Sequence, residues 1–154
     1  MQENETPEEK MQNTAVACAE ELKGKRILIA EDNALNAEII LTILKDYGLE
    51  AELASDGDIV IDMLKRNPED YYDMILMDIQ MPHMDGYEAT KVIRGFEDER
   101  AKIPVVAMTA NAFEEDRKAA FEAGMNGHVA KPIEIAQLLE TMAKLVGKRN
   151  RDSD

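Results

Sequence analysis

The chain has 154 residues, of which 45% are hydrophobic and 32% charged, with a formal net charge of −14. That composition suits one globular core with tails. It offers no apolar stretch near the roughly 20 residues that a membrane helix needs, and so much acidity argues against nucleic acid as a direct partner. The single cysteine, Cys18, excludes an internal disulfide, and without Cys/His clusters at zinc spacing any metal would have to be held by oxygen.

The amino terminus, MQENETPEEK, is acidic where a secretory signal would be basic and then apolar, so a cytoplasmic location is expected. Thr6-Pro7-Glu8-Glu9 has the form of a capping box, followed by Met11, Ala15, Cys18 and Leu22 on one face. This face is weakly apolar, and residues 1–24 are read as a tail or linker with helical potential. Arg26 to Ala30 is a compact β-branched run that stops at Glu31-Asp32-Asn33. The helix after it is expected to bury Leu35, Ile39, Ile43 and Tyr47 and to end at Gly48. Leu49 to Ala54 reads as a second strand, Ser55-Asp56-Gly57 as a turn and cap, and Ile59 to Arg66 as a short helix ahead of Asn67-Pro68.

The third strand, Asp73 to Met77, is apolar at consecutive positions, implying burial on both faces, and runs directly into Asp78. A loop from Gln80 to Asp85 leads to a helix ending near Phe96. A strand over Ile103 to Met108, a helix from about Ala112 to Ala123, a brief strand His128 to Ala130 and a last helix follow; that helix carries Ile135, Leu138, Leu139, Met142, Leu145 and Val146. Residues 148–154 read as a disordered tail.

Five strand–helix pairs in strict alternation predict an α/β domain over residues 25–147. Its fold is a flavodoxin-like (βα)5 three-layer sandwich with a parallel sheet in the order 2-1-3-4-5. In such sheets ligands bind beyond the carboxyl ends of the strands, where the strand order reverses. The residues just past those ends are Glu31 and Asp32, Asp78, Thr109 and Lys131. Three carboxylates forced together repel unless a cation joins them, and hard oxygen donors suit Mg²⁺, or Mn²⁺ in its place. A carboxylate beside such a cation can act as a nucleophile toward a phosphoryl group. Asp78, at the end of the most buried strand, is best placed for that role; Glu31 and Asp32 are suited to share the metal. Lys131 and Thr109 would neutralise phosphoryl oxygens.

The segments Ile29-Ala30-Glu31-Asp32-Asn33, Leu76 to Tyr87, Met108-Thr109-Ala110-Asn111 and Lys131-Pro132 resemble the receiver domains of two-component response regulators. Glu31-Asp32-Asn33 with Asn36 and the Thr-Ala-Asn-Ala-Phe run are similar to receivers attached to hybrid sensor histidine kinases. The resemblance implies phosphotransfer to Asp78 from a sensor histidine kinase or a histidine phosphotransfer protein. It also implies metal binding by Glu31, Asp32, Asp78 and the backbone carbonyl of Gln80, and a cis peptide at Lys131-Pro132. Such a protein acts as a phosphoacceptor that catalyses its own phosphorylation rather than as an enzyme on other substrates, either alone or as a piece of a hybrid kinase.

Where the family often carries a switch aromatic, three positions before the lysine, this chain has His128. The positions that flank the attacking water in the family are Gln80 and Asn111, neither a strong general base. His83 lies in a loop, without the helical setting of a phosphotransfer histidine. Two other classes compete with this reading. A phosphorylation-independent pseudo-receiver would be expected where the acids, threonine or lysine were missing. A haloacid-dehalogenase-like hydrolase needs a second acid where Gln80 stands.

Overall fold

A computed structural model describes residues 6–110 and 114–152, with side chains described as far as Val146. Five strands, β1 (Arg26–Ala30), β2 (Glu50–Ala54), β3 (Met74–Asp78), β4 (Val105–Thr109) and β5 (Gly127–Ala130), form one sheet in the order β2-β1-β3-β4-β5 with every neighbouring pair parallel. The helices are α1 (Pro7–Leu22), α2 (Ala34–Asp46), α3 (Gly57–Arg66), α4 (Gly86–Arg94), α5 (Glu114–Ala123) and α6 (Ile135–Asp152). The predicted order and class hold. A 3-10 turn at Glu99–Lys102, ahead of β4, is an element the apolar pattern did not signal.

Alternation along the strands divides the interior in two. Ile27, Ile29, Met74, Leu76, Val106, Met108 and Val129 pack with α1, α2 and α6. Leu28, Ala30, Ile75, Met77, Val105 and Ala107 pack with α3, α4 and α5. The period of two along each strand sends successive side chains to opposite faces, which is why all five residues of β3 are buried.

One expectation changes. In α2 the buried positions are Ala37, Ile40 and Leu44, whereas Leu35 is 69% and Ile39 49% exposed. The helix is apolar around much of its circumference, so two stripes compete at helical spacing and the one carrying small Ala37 meets the sheet. The capping box of Thr6 and Glu9 opens α1 as its sequence predicts, and the helix packs on α6, burying Ala15, Ala19 and Leu22. The small alanines permit close approach, and full burial of Leu22 contributes about 1.5–3 kcal/mol. At the carboxyl end α6 continues to Asp152 through good helix formers, with no proline after Val146. Ala112, the expected start of α5, lies outside the described residues.

The strand edge opposite the carboxyl ends is fastened by Arg94. Its guanidinium donates to the carbonyls of Gly124 (2.9 Å), Ala101 (2.9 Å) and Ile103 (2.8 Å) and to Asn126 Oδ1 (2.7 Å). Asn126 Oδ1 also accepts the N–H of Val105, so one arginine joins α4 to the starts of β4 and β5. Arg94→Ala removes these donors at once and is expected to cost about 2–4 kcal/mol. Urea unfolding should show this as a lower midpoint at an unchanged slope; a midpoint equal to wild type would show that water replaces the guanidinium.

Candidate functional site

Each site residue is delivered by a strand end. The N–H of Glu31 donates to the carbonyl of Ala54 at 3.0 Å, extending β1 by one residue, and Asp78 closes β3. Thr109 closes β4, and its carbonyl accepts the N–H of Lys131 at 2.7 Å, which places Lys131 just past β5. The Lys131-Pro132 peptide is cis, as expected. Gly86 opens α4 directly behind Asp78, where a Cβ would lie 2.5 Å from the Asp78 carbonyl oxygen, so only glycine permits this approach.

These residues line a cleft of about 600 Å³. Glu31 is 3% and Asp78 5% exposed, while Asp32 stands at the surface. Oxygen atoms of Glu31, Asp32 and Asp78 all lie within 4.8 Å of one another. The Lys131 ammonium donates to Asp78 Oδ2 at 3.1 Å and to Glu31 Oε1 at 3.2 Å. The second oxygen of each acid is held by a backbone amide: Asp78 Oδ1 by Gln80 (3.3 Å) and Glu31 Oε2 by Asn33 (3.1 Å). Thr109 and Gln80 line the same cleft, whereas Asn111 lies outside the described residues.

Burial pushes the Glu31 carboxyl above the usual glutamate range; the Asn33 amide offsets part of that rise, and neighbouring Asp78 adds to it. For Lys131, burial alone would lower the ammonium, but Asp78 and then Glu31 outweigh it and hold it above the ordinary lysine value. The site is therefore acidic, partly dehydrated and short of positive charge. Its donors are hard oxygens, which fits a small divalent cation such as Mg²⁺.

His128 lies on β5, half-buried, and its Nε2 accepts from Arg117 Nε of α5 at 2.9 Å. Burial and then the Arg117 charge lower its pKa below the ordinary histidine value. His83 is exposed in its loop, with Nδ1 3.4 Å from Asp56. Sequence reasoning gave no role to Tyr87 or Asp116, which line the cleft from α4 and α5. It also read Asp56 only as part of a turn and cap, although Asp56 is 3% exposed. No motif spacing marks Asp56, because its partners are backbone amides.

Because the fold raises the Glu31 pKa, ionisation of Glu31 opposes folding above its folded pKa. That opposition fades as pH falls toward the reference value of 4.5. Glu31→Gln keeps an acceptor for the Asn33 amide without the charge. In metal-free buffer at pH 7 it is expected to melt above wild type, with the gap closing toward pH 4.5. A variant that melts lower at pH 7 would show that the Lys131 contact outweighs burial.

Comparison with known proteins agrees with this geometry. The family model of the response regulator receiver domain matches residues 27–143. The chain is 36% identical over 127 residues to hybrid signal transduction histidine kinase M of Dictyostelium discoideum, covering 81% of this chain and 5% of that protein. It is 34% identical over 127 residues to sensor protein GacS of Pseudomonas syringae pv. syringae, covering 81% and 14%. The chain thus spans only a small part of the length of these relatives. Among solved structures, it is similar to the receiver domain of sensor histidine kinase PA1611 from Pseudomonas aeruginosa PAO1, which has a magnesium ion coordinated in its active site cleft. That match has 39% identity and a TM-score of 0.72 and covers 80% of this chain and 98% of that one. It is also similar to a chain in the co-crystal structure of the Saccharomyces cerevisiae phosphotransfer protein Ypd1 with the receiver domain of Ssk1, at 27% identity and a TM-score of 0.75, covering 83% and 92%. Strand order, the acid–lysine cleft and the extent of the family match agree, and the chain belongs to the response regulator receiver domain family.

Proposed function

We propose that the chain is the phosphoacceptor of a His-Asp phosphorelay, taking a phosphoryl group from a phosphohistidine onto Asp78 and using the product as a switch. The observation that carries this reading is the state of the Asp78 carboxylate. It is buried at a strand end, one oxygen on the Gln80 amide and the other on the Lys131 ammonium. An Asp78 oxygen attacks phosphorus in line, the P–N bond breaks with its electron pair going to the imidazole nitrogen, and an acyl phosphate forms. Lys131 and the Thr109 hydroxyl neutralise equatorial oxygens as charge redistributes. Glu31, Asp32, Asp78 and the Gln80 carbonyl would hold Mg²⁺, or Mn²⁺, which supplies further charge neutralisation when bound. The magnesium ion in the PA1611 receiver supports that assignment.

The partner in this reading is a sensor histidine kinase or a histidine phosphotransfer protein in the cytoplasm, and the Ypd1–Ssk1 complex supports that class. Exposed Leu35 and Ile39 on α2, beside Asn36 at the cleft, supply an apolar ridge on which a histidine-bearing helix would seat. The hybrid kinases among the relatives support a place beside a kinase module. The intact set of acids, threonine and lysine disfavours a pseudo-receiver, and Gln80 disfavours dehalogenase-like hydrolysis.

Intact mass after incubation with acetyl phosphate tests the reading. Wild type should gain one phosphoryl mass only with Mg²⁺, Asp78→Asn none, and the adduct should decay over minutes to hours because Gln80 and Asn111 are poor bases. No gain by wild type would overturn the phosphoacceptor role, and decay within seconds would overturn the part assigned to Gln80 and Asn111. The Arg117 contact occupies Nε2 of half-buried His128, and Thr109 and the loop after it carry the switch. His128→Ala should leave the phosphorylation-dependent shift of the Thr109 amide resonance intact, and loss of that shift would reassign the switch to His128.

A further inference from the structure

Asp56 occupies the N-cap position of α3 yet makes no capping hydrogen bond to its own helix. An N-cap aspartate ordinarily accepts from the second or third amide of the helix it begins. Here the carboxylate reaches across to the loop between β3 and α4, where Oδ1 accepts the N–H of Met84 at 2.7 Å and Oδ2 the N–H of His83 at 3.0 Å. The tie is reciprocal: the N–H of Gly57 donates to the Met84 carbonyl at 3.2 Å, and a Cβ at position 57 would lie 2.4 Å from that oxygen. Burial alone would push the Asp56 carboxyl up, but the backbone amides around it, those of His83 and Met84 foremost, outweigh it and hold the group below the usual aspartate range. These are charge-assisted bonds, stronger than neutral ones. Asp56, Asp58 and His83 also form an acid–histidine group. Both Asp56 oxygens are already engaged by amides, so the group is a brace rather than a set of ligands.

The braced loop, residues 79–85, belongs to the phosphoacceptor. At one end the Ile79 carbonyl accepts the N–H of Gly86 at 2.8 Å, and next to it the Gln80 N–H holds Asp78 Oδ1. We propose that Asp56 is a positioning residue for the divalent-cation site: by holding the His83 and Met84 amides it fixes the loop, so that Gln80 and the Asp78 carboxylate stay aligned with Glu31 and Asp32. The inference rests on the cleft being a cation site, but the brace itself acts before any cation arrives. Without Asp56 two loop amides lose their acceptor and the loop loses its attachment to the β2–α3 turn.

The test uses the full chain with Asp56→Ala, Gly57→Ala and Arg94→Ala, each held well below its melting temperature. Gly57→Ala wedges the same tie apart while keeping the carboxylate, so it decides the matter if Asp56→Ala does not fold. Arg94→Ala is the stability control at the opposite sheet edge. Amide exchange at Gln80, His83 and Met84, measured without metal, should accelerate in both loop variants. Mg²⁺ affinity measured by calorimetry should fall about tenfold, as for other residues that orient metal ligands. Arg94→Ala should lower the melting temperature and leave the Mg²⁺ affinity at the wild-type value. Wild-type affinity in the folded loop variants, an equal loss in Arg94→Ala, or no Mg²⁺ binding by wild type overturns the inference. A wild type that binds Mg²⁺ but takes no phosphoryl group overturns the phosphoacceptor reading alone.

Discussion

Electrostatic imbalance at one edge of the sheet organises the rest of the molecule. Two like charges about 4 Å apart repel by about 4 kcal/mol at an effective dielectric near 20. Glu31, Asp32 and Asp78 bring their oxygens within 4.8 Å, and Lys131 bridges two of them. One ammonium cannot satisfy three acids. The arrangement persists because Glu31 and Asp78 sit at the ends of paired strands, each with both oxygens held by hydrogen bonds, while Asp32 stands at the surface. The parallel sheet supplies this constraint: with all strands running one way, every carboxyl end opens on the same side. A cleft that sets three acids around one ammonium is costly to the fold, and its hard oxygen donors suit a small divalent cation.

The two interiors give that cleft a particular mechanical setting. β3 contributes Met74 and Leu76 to one core and Ile75 and Met77 to the other, and it ends at Asp78. Helices on both faces therefore bear on the strand that ends at Asp78. Lys131 occupies a similar position at the far side of the cleft, following β5 and preceding α6, so its contacts join the chemistry to the helix that closes the first core.

Much of this was legible in the sequence, for identifiable reasons. The alternation of strand and helix, with the apolar run of β3, dictated a parallel sheet, and the strand ends then named Glu31, Asp32, Asp78, Thr109 and Lys131 without knowledge of side-chain geometry. Three features were less legible. The buried stripe of α2 was ambiguous because Leu35 and Ile39 compete with Ala37, Ile40 and Leu44 at the same helical spacing. The docking of α1 was only faintly marked, because alanines carry little hydrophobic signal although they let helices approach closely. Asp56 was hidden because its partners are the backbone amides of residues 27 and 28 positions away, and backbone amides leave no trace in residue identity.

The place of α1 has a consequence for what counts as the unit. The family match begins at residue 27, but the hydrophobic core that contains Ile27 also contains Ala15, Ala19 and Leu22. The border drawn by ancestry thus runs through the middle of a packed interior. A chain trimmed to that border would keep every residue of the cleft and bare the apolar side of α6 to water, turning an internal seam into an adhesive surface.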